Sequence, residues 1–316
     1  MNYGKAKYAL ILLIFASLFF LLSRVFSGQI ILPQYFSIGP LTIHYYGIVM
    51  ALAVAAAFFV AIKRASKYDI DPKRAEDIIF WLIIGGFVGA RAYHVLSHFS
   101  YYAFYPSEIL KVWNGGLSIF GAILGGLLTL WILQLLSTKH LALSTLLDWL
   151  TPSLILGQII GRFGNLFNYE AFGYPTNLPW KMFVPPQFRP EQYQTFSFFH
   201  PFFLYEAAGN LVILIFLLWI GSRTRRPNSE NQNPWPSVRD FAATTPDLSE
   251  SKGFASGGSL FFSYLLLYNT LRFVLEFIRT DSTFIYGFRL NAYVALPMAV
   301  CSALVLLWIK RYGKKT

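Results

Sequence analysis

The sequence predicts an all-α, polytopic transmembrane helix bundle: seven core spans, an extra N-terminal span and a small extracytoplasmic cap. Three observations lead there. The chain of 316 residues is 55% hydrophobic and only 13% charged, about half the charged fraction of a soluble domain. Its apolar residues gather in blocks of about 20, the length that crosses a bilayer. Its Lys and Arg residues concentrate in loops on one side of those blocks, the pattern that orients membrane proteins.

The spans fall at about 8–23, 41–62, 78–98, 116–136, 144–163, 201–221, 257–278 and 291–309. In the first, Lys5 and Lys7 precede an uncharged run that ends at Arg24. No small-x-small cleavage site follows, so residues 1–34 read as a retained signal anchor with a linker. Residues 35–311 form the membrane domain, and 312–316 a basic tail. Eight spans place both termini on one side. Seventeen of the 26 basic residues lie on that side and six on the other, leaving Arg91, Arg162 and Arg272 in or at the membrane. The richer side is therefore cytoplasmic.

Residues 164–200 then face outward. Pro175, Pro179, Pro185, Pro186 and Pro190, with many aromatics, suggest an ordered cap. Residues 222–257 are polar and read as a flexible cytoplasmic insertion. The net charge of +11 sits in short loops beside the spans, which fits anionic lipid rather than nucleic acid. The lone cysteine, Cys301, excludes an intrachain disulfide and reads as packing. His94, His98 and His140 form no metal-ligand cluster, and GxSxG, HExxH and CxxC are absent. No internal repeat suggests an inverted-repeat transporter.

The most informative stretch is GRFGNLFNYE, 161–170, which ends an otherwise apolar span. An arginine at bilayer depth costs about 2.5–3.5 kcal/mol on insertion scales and is seldom idle. Gly161 and Gly164 loosen the backbone around Arg162, so the stretch suits a buried anion site, and lipid phosphate is the common large anion of a membrane. A second polar stripe runs through YNTLRFVLEFIRTD, 268–281: Tyr268, Arg272, Glu276 and Arg279 are spaced i, i+4, i+8 and i+11, so they share one helix face. An intrahelical Arg–Glu–Arg ladder accounts for Glu276 with Arg279, but less well for Arg272. Two arginines around one phosphate make a sensible clamp, because guanidinium forks onto phosphate oxygens.

Other polar residues carry competing readings. In HPFFLYE, 200–206, His200 and Glu206 are acid–base candidates, with helix entry as the alternative for His200. Arg91 and Asp148 suit structural ion pairs. The pairs Gly85 and Gly89, Gly121 and Gly125, and Gly157 and Gly161 suit close helix packing. Gly115 and Gly116 open WNGGLSIFGAILGG, 113–126, and suit close approach of lipid or peptide to the backbone.

Taken together, FSIGP and HYYG (36–47), GARAYHV (89–95), WNGGLSIFGAILGG, GRFGNLFNYEAFG, HPFFLYE and YNTLRFVLEFIR resemble the prolipoprotein diacylglyceryl transferases, in order, over about 35–311. The pattern GRxGNxxNxE is specific to that family. The resemblance implies a bacterial inner-membrane enzyme that moves diacylglyceryl from phosphatidylglycerol to the lipobox cysteine of preprolipoproteins, releasing glycerol phosphate. It implies no metal or organic cofactor. Arg162, Gly164, Asn165, Asn168, Glu170 and Gly173 match the signature. Arg272 matches the second essential arginine, with Glu276 and Arg279 beside it, and Tyr46 matches the family's tyrosine. By this resemblance Arg162, Arg272, Tyr46, Glu170 and His200 are the catalytic candidates. Arg162, Gly164, Asn165, Asn168, Gly173, Arg272, Glu276, Arg279, Gly115 and Gly116 are the candidates for binding substrate.

Two departures stand out. Where the family commonly has a histidine after S-x, this chain has Ser118, Ile119 and Phe120. Its HPSQLYE is HPFFLYE here, with Phe202 and Phe203 for polar residues. Phe120 motivates an alternative: a degenerate member that binds lipid or lipoprotein without catalysis. A channel or transporter for an anionic solute is a third reading, suggested by the intramembrane arginines alone and disfavoured by the lack of repeats.

Overall fold

The computed structural model describes residues 3–136, 142–223, 257–280, 282, 284–285 and 287–312. Most of the expected insertion, the tail beyond Tyr312 and His140 lie outside the described residues.

Every expected span is a helix: α1 (Tyr3–Phe26), α2 (Tyr45–Ala65), α3 (Pro72–Ser97), α5 (Ile119–Leu136), α6 (Leu143–Arg162), α8 (Phe202–Arg223), α9 (Ser259–Glu276) and α10 (Leu290–Tyr312). Short helices α4 (Phe99–Phe104) and α7 (Gly164–Asn168) complete the α-helical set among the described residues. Six of these, α2, α3, α5, α6, α8 and α10, are long and apolar enough to cross a membrane. In α1 the described residues include an apolar helical stretch at Ala16–Phe26. In α9 the run is diluted by Asn269, Thr270, Arg272 and Glu276. Large side chains such as Phe19, Phe59, Val88, Leu128, Val212, Ile215 and Trp308 point outward, the inverse of a soluble protein. The fold is an all-α polytopic membrane protein.

Local chemistry sets the helix ends. The Asp71 carboxylate accepts from the backbone N–H of Lys73 and Arg74, and Pro72 opens α3, satisfying donors that a helix start leaves free. Lys63 and Arg64 close α2, and Lys310 and Arg311 close α10, where cations meet the negative end of the helix dipole.

Among the described residues, three two-stranded antiparallel sheets depart from the helical expectation: β1 (Tyr35–Ile38) with β2 (Leu41–His44), β3 (Met182–Phe183) with β4 (Phe198–Phe199), and β5 (Phe284–Ile285) with β6 (Phe288–Arg289). The first displaces the start of the second span from 41 to Tyr45. Its two-residue loop begins with Gly39 at φ +59°, the left-handed conformation that tight hairpins require at that position.

The chain divides into two compact units. One comprises Met1–Ala56, Leu154–Ile220 and Phe262–Leu307. Its core joins the last turn of α1 (Val25) to the cap (Leu166, Tyr169, Phe172, Met182, Val184, Phe199) and to Phe202, Phe203 and Leu275. Residues 164–200 thus pack around an apolar core that they share with α1, α8 and α9.

The other unit comprises Ala57–Ser153, Gly221–Phe261 and Trp308–Thr316. Here α3 and α5 pack backbone to backbone. A Cβ on Gly89 would fall 2.4 Å from the Gly121 carbonyl oxygen, and one on Gly125 2.3 Å from that of Gly85, so two of the three glycine pairs serve helix packing. The third differs, since Gly161 faces the Met50 side chain.

Among the described residues Arg91 and Asp148 form none of the expected ion pairs. Arg91 donates to four backbone carbonyls, those of Glu108, Ile109, Gly115 and Gly116, at 2.6–2.9 Å. Asp148 accepts from the N–H of Gly258 at 2.9 Å and of Phe261 at 2.8 Å, capping α9. Unpaired backbone groups of a turn and a helix start compete better than a distant charge, because they are local and otherwise unsatisfied.

Candidate active site

The first unit brings three charged residues from three helices to one point. Arg162 ends α6, Glu206 lies in the second turn of α8, and Arg272 lies in the last turns of α9. Glu206 bridges the arginines: Oε1 accepts a hydrogen bond from Arg272 Nη1, and Oε2 lies 2.9 Å from Arg162 Nη1. Arg272 Nη2 is also 3.4 Å from Glu276 Oε2, and Glu276 Oε1 accepts from Asn291 Nδ2 at 3.1 Å. Glu206 is 2% exposed, whereas Arg272 is 13% and Arg162 24% exposed. The carboxylates are buried while the two arginine side chains stay partly exposed, and a buried carboxylate between them offsets their charge.

The phenylalanines that replace polar residues in HPFFLYE have structural work here. Phe202 is buried, with the Arg272 and Arg279 guanidiniums each 5.7 Å from its ring centroid, and the ring quadrupole favours both cations. Phe203 belongs to the cap core and meets Phe163 and Phe26 edge to face.

The signature loop is held by close backbone contacts. Gly173 forms an antiparallel bridge with Arg279, and its N–H donates to the His200 carbonyl at 2.9 Å. A Cβ on Gly173 would stand 2.7 Å from the Ile278 carbonyl oxygen, so only glycine fits. Tyr169 and Ala171 flank Glu170 with φ of +51° and +54°, a costly conformation for non-glycine residues. Packing holds it: the Tyr169 hydroxyl accepts from Leu32 N–H at 2.6 Å, and its ring stacks on Phe188.

Gly164 faces the Tyr46 ring, where a Cβ would lie 2.8 Å from Cδ2; the glycine lets Tyr46 of α2 lie against the signature. Glu170 is exposed and accepts from Asn168 Nδ2 at 3.2 Å. The Asn165 carbonyl accepts from Glu170 N–H at 3.2 Å. His200 does not cap α8 with its ring. Its Nδ1 is 2.9 Å from the Tyr205 hydroxyl, which accepts from Trp180 Nε1 at 2.7 Å. Burial pushes the His200 pKa down, so the ring is neutral near pH 7.

The first unit therefore holds Tyr46, Arg162, Gly164, Asn165, Asn168, Glu170, Gly173, His200, Arg272, Glu276 and Arg279. Gly115 and Gly116 belong to the other unit, where their carbonyls bind Arg91. The continuous stripe expected from Tyr268 to Arg279 is corrected: α9 stops at Glu276, and Arg279 leaves it to pair with Gly173. The bridging role of Glu206 was not visible in the sequence, which offered it as an acid–base candidate at the start of an apolar span.

The family model described as prolipoprotein diacylglyceryl transferase matches residues 33–234 and 245–308. Among similar proteins, one from Fervidobacterium nodosum is 37% identical over 93% of this chain and 91% of its own length. One from Synechococcus elongatus is 37% identical over 90% and 88%, and one from Thermotoga maritima 44% identical over 69% and 74%. Each of the three is named a phosphatidylglycerol–prolipoprotein diacylglyceryl transferase. With the family pattern matched over most of its length, the chain belongs to the prolipoprotein diacylglyceryl transferase family.

Proposed function

We propose that this protein transfers diacylglyceryl from phosphatidylglycerol to the lipobox cysteine of preprolipoproteins. The observation that carries the reading is the Arg162–Glu206–Arg272 bridge, two partly exposed arginine side chains held by one buried carboxylate. The lipid phosphate docks on the open faces of the arginines. The cysteine thiolate attacks the diacylglyceryl carbon that bears the phosphate ester oxygen; a C–S bond forms, that C–O bond breaks, and glycerol phosphate leaves with the bonding pair. The thiol proton passes to a base or to water. Charge developing on the leaving phosphate is stabilised by donors already in place, so little reorganisation is needed.

His200 is the proposed proton acceptor, supported by its lowered pKa and its hydrogen bond to Tyr205. Tyr46 and Glu170 line the signature side, with Asn165 and Asn168 as polar contacts for substrate. Gly115 and Gly116 are proposed to receive lipid or peptide. Phe120 in place of a histidine is tolerable on magnitude. A free thiol with a pKa near 8.5 is about 3% thiolate at pH 7, so losing a base whose only task is deprotonation costs at most about thirtyfold.

The basic-residue distribution supports a cytoplasmic-membrane location with the active site on the extracytoplasmic side. It also supports residues 1–34 as an anchor, 164–200 as an outer cap and 222–257 as a cytoplasmic insertion outside the chemistry.

The test incubates purified protein with phosphatidylglycerol of known acyl composition and a lipobox peptide. Mass spectrometry should show the peptide gaining one diacylglyceryl group. Lipid binding with no mass gain at any pH would favour the non-catalytic alternative.

A further inference from the structure

One helical turn inward from the clamp lies a second polar layer, made entirely of uncharged groups. Inward means toward the N-terminal ends of α6 and α9 and the C-terminal end of α8. Stepping four residues along each helix leads from Arg162 to Gln158, from Glu206 to Asn210 and from Arg272 to Tyr268. Residues four apart share a helix face, so these three side chains lie on the same faces of α6, α8 and α9 as the clamp residues. Gln158 Nε2 donates to the Tyr264 hydroxyl at 2.7 Å, tying α6 to α9 one turn beyond Tyr268.

Three polar atoms in the layer are buried and have no hydrogen-bond partner among the described residues: Gln158 Oε1, Asn210 Nδ2 and Asn210 Oδ1. Asn210 is 0% exposed. A buried polar side chain with both ends unpaired in an otherwise apolar helix is unfavourable, and such groups are rare without an external partner.

We propose that Gln158 and Asn210 form a subsite for the uncharged glycerol diol of the phospholipid headgroup whose phosphate sits on Arg162 and Arg272. The inference rests on the proposed clamp reading and names how that site selects its lipid. The two amide oxygens need two donors, and Asn210 Nδ2 needs an acceptor. Ester carbonyls only accept. An ammonium headgroup only donates, and it would bring a cation against two arginines. A vicinal diol supplies two donors and the acceptor lone pairs without charge. The spacing agrees: one turn, about 5.4 Å, matches the reach of a three-carbon chain esterified to the bound phosphate.

The test compares phosphatidylglycerol with phosphatidyl-n-propanol of the same acyl chains, a three-carbon headgroup without hydroxyls. Wild type, Asn210→Leu and Gln158→Leu are assayed by mass gain of a lipobox peptide, and each protein–lipid pair by native mass spectrometry. Losing two hydroxyl hydrogen bonds predicts a wild-type preference for phosphatidylglycerol of about thirtyfold, equivalent to about 2 kcal/mol. The preference should shrink to about threefold in Asn210→Leu and fall part of the way in Gln158→Leu, mainly through loss on phosphatidylglycerol. The two variants lie on different helices, so failure of one to fold leaves the other. Equal preference in wild type and both variants would overturn the subsite and leave these amides to water or structure. A wild type without preference would also overturn it. Selective binding through Asn210 without peptide modification would keep the subsite and remove the transferase reading.

Discussion

Replacing Glu206 with Gln keeps the shape of the side chain and removes the charge that both clamp arginines share. At 2.9 Å from Arg162 Nη1, one such contact is worth about 6 kcal/mol at an effective dielectric near 20. Desolvation offsets much of that, and deleting one partner of a buried ion pair costs about 3–5 kcal/mol in measured cases. The lower end applies here, because Gln still accepts from Arg272 and Arg162 is 24% exposed. A penalty of about 3 kcal/mol is roughly a hundredfold, at about 1.4 kcal/mol per factor of ten. Glu206→Asp keeps the charge but shortens the reach by one methylene, so it holds one arginine at a time. The assays are thermal unfolding in detergent and the initial rate of diacylglyceryl transfer. Glu206→Gln should unfold at lower temperature and lose about a hundredfold in rate, with Glu206→Asp between it and wild type. A Glu206→Gln protein with wild-type melting and a rate within threefold would refute the bridge as the organiser of the site.

Further predictions come from other contacts. Gly89→Val places methyl groups where a bare Cβ already meets the Gly121 carbonyl at 2.4 Å. It should separate α3 from α5 and lower the yield of folded protein, measured by size exclusion in detergent; wild-type yield and melting would contradict that packing. For His200, a pKa lowered by burial means the ring loses its proton at lower pH than a free imidazole. The acid limb of kcat/KM should therefore lie below about 6.5 and disappear in His200→Gln. A wild-type limb above that value, or one unchanged in the variant, would remove His200 as the base.

How far the sequence led depended on the range of each interaction. Helices were legible because about 20 apolar residues in a row leave few alternatives, and the arginines because charge at bilayer depth needs a reason. Hairpins of two to four residues per strand carry too little alternation to be read. The Glu206 bridge joins residues 44 and 66 positions apart in the chain, a coincidence that no local pattern encodes. The stripe past Glu276 failed for a tertiary reason. The Ile278 carbonyl accepts from Tyr174 and Arg279 pairs with Gly173, so the signature loop takes up backbone groups that a longer α9 would have used. Arg91 and Asp148 were recognised as structural, but their partners proved to be backbone groups.

The central claim is that Arg162 and Arg272 act together as a fork for the lipid phosphate. The measurement that tests it most directly is kcat/KM for transfer in Arg162→Lys, Arg272→Lys and the double variant, each confirmed as folded. Lysine keeps the charge but lacks the planar pair of donors. Each single variant should lose at least about a hundredfold, and the double should lose little more than the worse single, because groups that act as a unit are not additive. An Arg162→Lys enzyme within threefold of wild type, or losses that multiply independently in the double variant, would contradict the clamp.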